Sequence, residues 1–338
     1  MDPVSPFPWM PALVAFAIGV AATPLARRAA LRFGLLDRPN LRSSHTRVTP
    51  RGGGLAIALA LAAALTVAGT GGARGAVFLA GALAMALLGL CDDRFDLPVL
   101  PRLVAQAVVA AGVVWGLGGL VTLPLPPPLD LSLGPLGAPL ATLWILVVVN
   151  FYNFLDGIDG LAGLQGVVTG VGVALAAWDP FASSFGAATA GACLAFLLFN
   201  WSPARLFLGD AGSLLLGYTF AALSLLAPPR ARGSSVFLMA LSLWLFLADA
   251  TWTRLHLMAR ERRWYAPHRQ HVYQRLVASG WSHARTSLLV GAGSALLTGA
   301  ALLAWRRFDA GAAWAVLALA AILFLAELFA ARWREARS

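Results

Sequence analysis

This chain has no lysine, only 15 acidic residues in 338, and only two cysteines. Each shortage excludes something. Cys91 and Cys193 both lie in or beside apolar stretches, so a disulfide framework has no support and both read as packing residues. With 12% charged residues against 59% hydrophobic ones, and a mean hydropathy of +0.76, a soluble domain of this length is excluded as well. A net charge of +10 made entirely of arginine would suit a nucleic-acid binder if it covered one surface. Here the arginines gather in short loops beside apolar runs, which fits membrane orientation and leaves no nucleic-acid partner expected. The first apolar run, Trp9 to Ala26, has no basic region before it and is followed by Arg27 and Arg28, the reverse of a secretory signal. It is expected to remain as an anchor with its N-terminus outside.

Against these absences stand about eleven apolar runs, judged by the roughly 17 to 25 residues that a helix needs to cross a bilayer. They centre near residues 17, 62, 84, 112, 146, 169, 192, 219, 244, 295 and 321. The expected fold is therefore an all-α polytopic membrane protein, a single domain over residues 1–338. The Pro-rich stretch from Leu123 to Pro139 cannot continue a helix and reads as an extramembrane loop. When alternate loops are assigned to opposite sides, most arginines fall on one side, which becomes cytoplasmic and carries the C-terminus. The polar clusters fall on that same side: residues 37–54, 91–102, 150–160, 200–213 and 260–285. A transporter would hold its ionisable groups nearer the midplane.

Acids are costly in a membrane chain and collect where a function needs them. Asp92, Asp93 and Asp96 end the third run, and Asp96 shares a helical face with only one of the adjacent pair at a time, so the three cannot have one job. In NFYNFLDGIDG, Asn150, Asn153 and Asp156 recur at i, i+3 and form a stripe on a helix end, with Asp159 one step further. Gly157 and Gly160 suit a backbone that opens beside a ligand. Asp210, in a Gly-Asp-Ala-Gly-Ser helix opening, is the best metal candidate. Free N–H groups and the helix dipole there favour phosphate oxygens, and a carboxylate beside them suits Mg²⁺, with Mn²⁺ as a substitute. His268, Arg269 and His271 offer donors to a diphosphate or sugar, and His45 and Arg47 sit in a basic loop that would attract anions. His256 and His283 have no comparable context. An unperturbed aspartate, with a pKa near ~3.9, gains little by taking a proton from a phosphate monoester whose second pKa is about 6. Positioning and metal binding therefore suit the paired aspartates better than base catalysis, unless pairing raises one of them.

Taken in order, DRPNLRSSHTRVTPRGGG from Asp37, LGLCDDRFDLP from Leu88, NFYNFLDGIDGLAG from Asn150, NWSPARLFLGDAGSLLLG from Asn200 and PHRQHVYQRL from Pro267 closely resemble one family. This is the polyprenyl-phosphate N-acetylhexosamine-1-phosphate transferases, the bacterial glycosyltransferase family 4 that includes the phospho-MurNAc-pentapeptide translocase. The resemblance implies a multi-pass protein of the bacterial cytoplasmic membrane. It would transfer a sugar 1-phosphate from a UDP-N-acetylhexosamine to undecaprenyl phosphate with Mg²⁺ and release UMP, and it leaves room for a homodimer. It makes Asp92 and Asp93 catalytic, puts Asp156 near the catalytic centre, and makes Asp210 the magnesium ligand. Gly157 and Asp159 would bind uridine, Asn200 would line the nucleotide pocket and Phe207 would stack on uracil. The histidine loop looks most like enzymes that begin O-antigen or similar surface glycans, using GlcNAc, GalNAc, FucNAc or QuiNAc donors. Peptidoglycan-type transfer and a lipid-linked sugar transporter are the alternatives. The CDP-alcohol phosphotransferases share an Asp-Gly signature, but their Ala-Arg pair and later spacing are missing here.

Overall fold

The computed structural model describes residues 7–39, 47–260, 269–307 and 310–337. Thirteen α-helices account for most of them: α1 (Trp9–Phe33), α2 (Gly53–Ala68), α3 (Gly72–Phe95), α4 (Val99–Leu117), α5 (Gly137–Phe154), α6 (Leu161–Ala176), α7 (Pro180–Asn200), α8 (Asp210–Leu225), α9 (Arg232–Ser242), α10 (Trp244–Arg260), α11 (Val272–Ala278), α12 (His283–Arg307) and α13 (Ala310–Glu335). Two strands of two residues each, β1 (Leu36–Asp37) and β2 (Thr49–Pro50), pair antiparallel.

Seven helices among the described residues are long and apolar enough to cross a bilayer, or eight if the bent pair α8–α9 is one span. All eleven expected centres lie in a helix, but α2 and α6 have only 16 residues each, and the centre near 244 is the first residue of α10, just past the break at Leu243 that separates it from α9. The sequence showed the apolar runs but not their interruptions. The Pro-rich segment is non-helical as expected as far as Leu133, and then a short 3₁₀ turn at Gly134–Leu136 leads into α5.

Helix α8 is the axis of the molecule, with every residue from Ala211 to Leu225 buried. A helix that is apolar all round must be surrounded. Glycine and alanine let its neighbours approach closely, as small residues do in membrane helix packing. A Cβ on Gly89 of α3 would lie 2.2 Å from the Asp210 carbonyl oxygen, and one on Gly54 of α2 would lie 2.2 Å from the Gly212 nitrogen. The first turn of α8 is thus clasped by two other helices through backbone contact. The outer helices instead present large apolar side chains outward, including Leu83, Leu87, Val104, Val108 and Trp115, where a bilayer would solvate them. Cys91 is exposed on α3, unlike the buried Cys193, so only the latter is a packing residue.

Candidate functional site

Four carboxylates meet where α3 and α5 end and α8 begins. The Asp93 side chain lies across the opening of α8, its two oxygens accepting the backbone N–H groups of Asp210 and Ala211, each at 3.0 Å. The positive end of the helix dipole holds the carboxylate there. With Gly212 and Ser213 donating to the Gly209 carbonyl, the first-turn amides are taken by the protein, not left free for phosphate oxygens as the sequence suggested. Asp92 faces the other way. It accepts the Leu97 N–H at 2.9 Å and pairs with Arg102, which ties the end of α3 to the start of α4. Asp96 is exposed at the helix C-cap with φ of 51° and joins neither cluster. The three acids therefore divide their work as their helical angles require.

Asp210 is the open member of the group. Its side chain is 30% exposed, against 2% for Asp92 and 4% for Asp93. Asn153 donates to Asp210 Oδ1 at 2.7 Å and to Ser213 Oγ at 2.8 Å, and Arg102 Nη1 stands 3.9 Å from Asp210 Oδ2. Asp156 follows in the loop after α5. Burial first, and then the negative charges of Asp210 and Asp93, push its carboxyl up to about 8. The sequence reading tied a base role to pairing between Asp92 and Asp93, whereas the carboxyl raised here is a third one, and burial is its first cause.

Asn150, Asn153, Asp156 and Asp159 do not form one stripe, because α5 stops at Phe154. Asn150 turns to α4 and donates to Gln106 Oε1 at 2.7 Å. Asp159 turns away from the other acids, accepting the Ala204 N–H at 3.0 Å and lying 3.3 Å from His283 Nδ1. Burial alone would raise the Asp159 carboxyl, but the His283 and Ala204 hydrogen bonds outweigh it and lower the value. His283, passed over in the sequence, is the partner of a predicted site residue.

Asn200 is 4% exposed with both ends of its amide engaged: Oδ1 accepts the Gly160 N–H at 2.9 Å, and Nδ2 donates to the Leu206 carbonyl at 3.0 Å. It clasps the loop that delivers Phe207. The Phe207 backbone in turn bonds to Pro50, Gly52 and Gly53, so the segments before α2 and α8 run side by side. Arg51, in this seam, pairs with Asp37 at 2.9 Å and lies 3.9 Å from Asp93. A Cβ on Gly157 would lie 2.1 Å from the Tyr273 hydroxyl oxygen, so this glycine serves the packing of α11. Arg47 is exposed. His45 and His268 lie outside the described residues. His271 is not on a helical face but is the N-cap of α11, 4% exposed.

Beside the carboxylates is a groove of about 430 Å³ between α4, α5, α10 and α11. Leu103, Leu146, Val147 and Phe151 give it an apolar wall, and Arg102, Asn150, Arg254 and His271 give it a polar end. Arg102 Nε, beside the groove, and Gln106 Nε2, buried behind it on α4, are donors with no protein partner. Unpaired buried donors favour an anion. Arg269 belongs to a different cavity, lined also by Trp252, His256 and Arg332.

No group of three or more His, Cys, Asp or Glu side chains suited to a metal ion occurs among the described residues. Mg²⁺ does not need one, since it binds through one or two carboxylates together with waters and substrate phosphates. An exposed Asp210 beside a second carboxyl strained by surplus negative charge fits that demand.

Residues 76–227, which hold Asp92, Asp93, Asp156 and Asp210, match the model of glycosyl transferase family 4. The chain is 32% identical to a probable undecaprenyl-phosphate N-acetylglucosaminyl 1-phosphate transferase of Bacillus subtilis, over 79% of this chain and 76% of the relative. It is 32% identical to a decaprenyl-phosphate N-acetylglucosaminephosphotransferase of Mycolicibacterium smegmatis, over 82% and 77%. It is also 28% identical to an undecaprenyl-phosphate alpha-N-acetylglucosaminyl 1-phosphate transferase of Salmonella typhi, over 81% and 78%.

Proposed function

Since the chain belongs to glycosyl transferase family 4, we propose that it starts a surface glycan by moving GlcNAc 1-phosphate from UDP-GlcNAc to undecaprenyl phosphate at the cytoplasmic face of the bacterial inner membrane. Transfer of an N-acetylhexosamine 1-phosphate to a polyprenyl phosphate is the activity of the family. The GlcNAc choice follows the names of the relatives. The observation that carries the reading is the junction of two unlike sites: an acidic helix opening at Asp210 and an apolar groove with a cationic end at Arg102.

In this reading the isoprenoid chain lies along Leu103, Leu146, Val147 and Phe151, and Arg102 and Arg254 meet its phosphate. The donor diphosphate lies beside the Asp210 side chain. An acceptor oxygen bonds to the sugar-bearing phosphorus while the bond to UMP breaks. Asp210, with Asp156 beside it, would hold Mg²⁺, or Mn²⁺ in its place, which when bound offsets the charge of the diphosphate oxygens. Asp93 fixes the helix opening, and Asp92 keeps Arg102 aimed between the two phosphates.

The eleven expected crossings are retained in this reading. Arg232, at the start of α9, hydrogen-bonds to Leu117 and Gly119 at the far end of α4, whereas Arg254 of α10 lies over the Phe154 ring at the site end. Helices α9 and α10 thus return as one broken crossing, with the N-terminus of the chain outside and the C-terminus inside.

The test supplies undecaprenyl phosphate and single UDP-sugars to membranes holding the protein, then identifies the lipid product and the nucleotide. UDP-GlcNAc should give lipid-linked GlcNAc diphosphate and UMP in a Mg²⁺-dependent reaction, in inside-out but not in sealed right-side-out vesicles. Turnover of UDP-GalNAc or a 6-deoxy donor alone would move the sugar assignment, and lipid translocation without UMP would point to a transporter.

A further inference from the structure

Asp249, like Glu327, is a buried acid outside every polar cluster of the sequence. Asp249 sits inside the apolar run of α10 and is 3% exposed, yet it is fully engaged. Its Oδ1 accepts the Thr253 hydroxyl at 2.9 Å and the Val272 N–H at 3.0 Å, and lies 3.2 Å from His271 Nδ1. Its Oδ2 takes the Tyr273 N–H at 3.5 Å. Asp249 and the opening of α11 thus hold the His271 ring between them. His271 also lines the groove that holds Arg102 and Asn150. Its ring stacks on Tyr273 at 5.8 Å, and the Tyr273 hydroxyl donates to the Phe154 carbonyl, two residues before Asp156.

We infer that Asp249 is a positioning residue for this reaction: it holds the His271 ring at the edge of the groove, where the phosphate of the lipid acceptor would lie. The inference rests on the transferase reading above. It gives the lone acid of α10 a task at a site that its own helix reaches only through His271. It also separates two things Asp249 does, capping the short helix α11 and aiming the histidine. Capping alone would be a matter of stability.

The experiment is a double-mutant cycle on the full-length enzyme in detergent, with UDP-GlcNAc and undecaprenyl phosphate and with UMP release as the readout. Asp249→Asn should lower kcat at least about fiftyfold while the KM for UDP-GlcNAc stays within about twofold. In a His271→Gln background the same change should cost nothing further. Val272→Pro provides the control. It removes one capping N–H but leaves the Asp249–His271 contact, and His271 already has the φ of −61° and ψ of 146° that a following proline requires. That variant should keep kcat within about threefold. If Asp249→Asn does not accumulate, Thr253→Val replaces it in the cycle, with a several-fold loss that vanishes in the His271→Gln background. Losses that multiply across the cycle, or a Val272→Pro enzyme as impaired as Asp249→Asn, would overturn the inference and leave the transferase reading standing. A wild-type protein that releases no UMP from any UDP-N-acetylhexosamine would instead remove the reading on which it rests.

Discussion

The two ends of α8 carry opposite charges and are finished in opposite ways. At its C-terminal end, arginines are spent on carbonyl oxygens. Arg232 donates to Ala227, Gly119 and Leu117 at 3.2, 2.9 and 2.6 Å, and Arg74 donates to Leu225 at 3.0 Å. A guanidinium at the negative end of helix dipoles needs no carboxylate to hold it. Trp178 and Ser235 take the Leu223 and Ser224 carbonyls, so this end is closed. At its N-terminal end the acids Asp92, Asp93, Asp156 and Asp210 crowd together, Asp210 is open, and the nearby donors Arg102 Nε and Gln106 Nε2 are unpaired. One end is satisfied by the protein itself, whereas the other keeps a partly exposed carboxylate and two buried donors without a protein partner.

The sharpest way to test that contrast is to neutralise the open end. Asp210→Asn should lower kcat at least about a thousandfold, equivalent to ~4 kcal/mol, while thermal unfolding stays unchanged. Near-normal UMP release at low Mg²⁺ would show that the end is merely capped. At the closed end the effect should reverse: Arg232→Leu should keep kcat per folded molecule but lose about 3 kcal/mol of stability, because several buried carbonyls lose their donor. Unfolding in detergent would read this, and a catalytic defect with full stability would erase the distinction between the ends.

A smaller effect is expected where the seam meets the donor. Phe207→Ala should raise the KM for the UDP-sugar about tenfold, or ~1.4 kcal/mol, leave that for the lipid alone, and be tolerated as Phe207→Tyr. An unchanged KM would detach Phe207 from the nucleotide. The smallest effect belongs to Asp96→Asn, which should stay within about twofold of wild type, whereas Asp92→Asn and Asp93→Asn each lose more than about fiftyfold in steady-state turnover. Equal losses at all three positions would make the open end an ordinary solvated helix terminus.

The parts of this design that depend on local pattern were legible in the sequence. Apolar length placed the helices, and the acid clusters marked one end of the bundle. The helical angle between Asp92 and Asp93 required different partners, and they have them. What depends on where a helix stops was not legible. Carrying the 3.6-residue period past Phe154 placed Asp159 beside Asp156, but the chain leaves the helix there and Asp159 turns to His283. Asp249 and His283 escaped notice because each stands alone in its own stretch and gains its meaning from a partner more than twenty residues or more than a hundred residues away. The break at Leu243 was hidden because apolar composition runs across it unchanged.

The clasp of Gly54 and Gly89 around the first turn of α8 also governs motion. Three helices touch there backbone to backbone, with no compressible layer of side chains between them. A push on α3 therefore carries Asp92, Asp93 and Asp210 together as one stiff joint. The opposite wall of the groove is joined more lightly, through the Tyr273 hydroxyl on the Phe154 carbonyl and the cation of Arg254 over the Phe154 ring. If the finished glycolipid is to slide out sideways, α10 and α11 form the wall that swings, and the joint at α8 stays still.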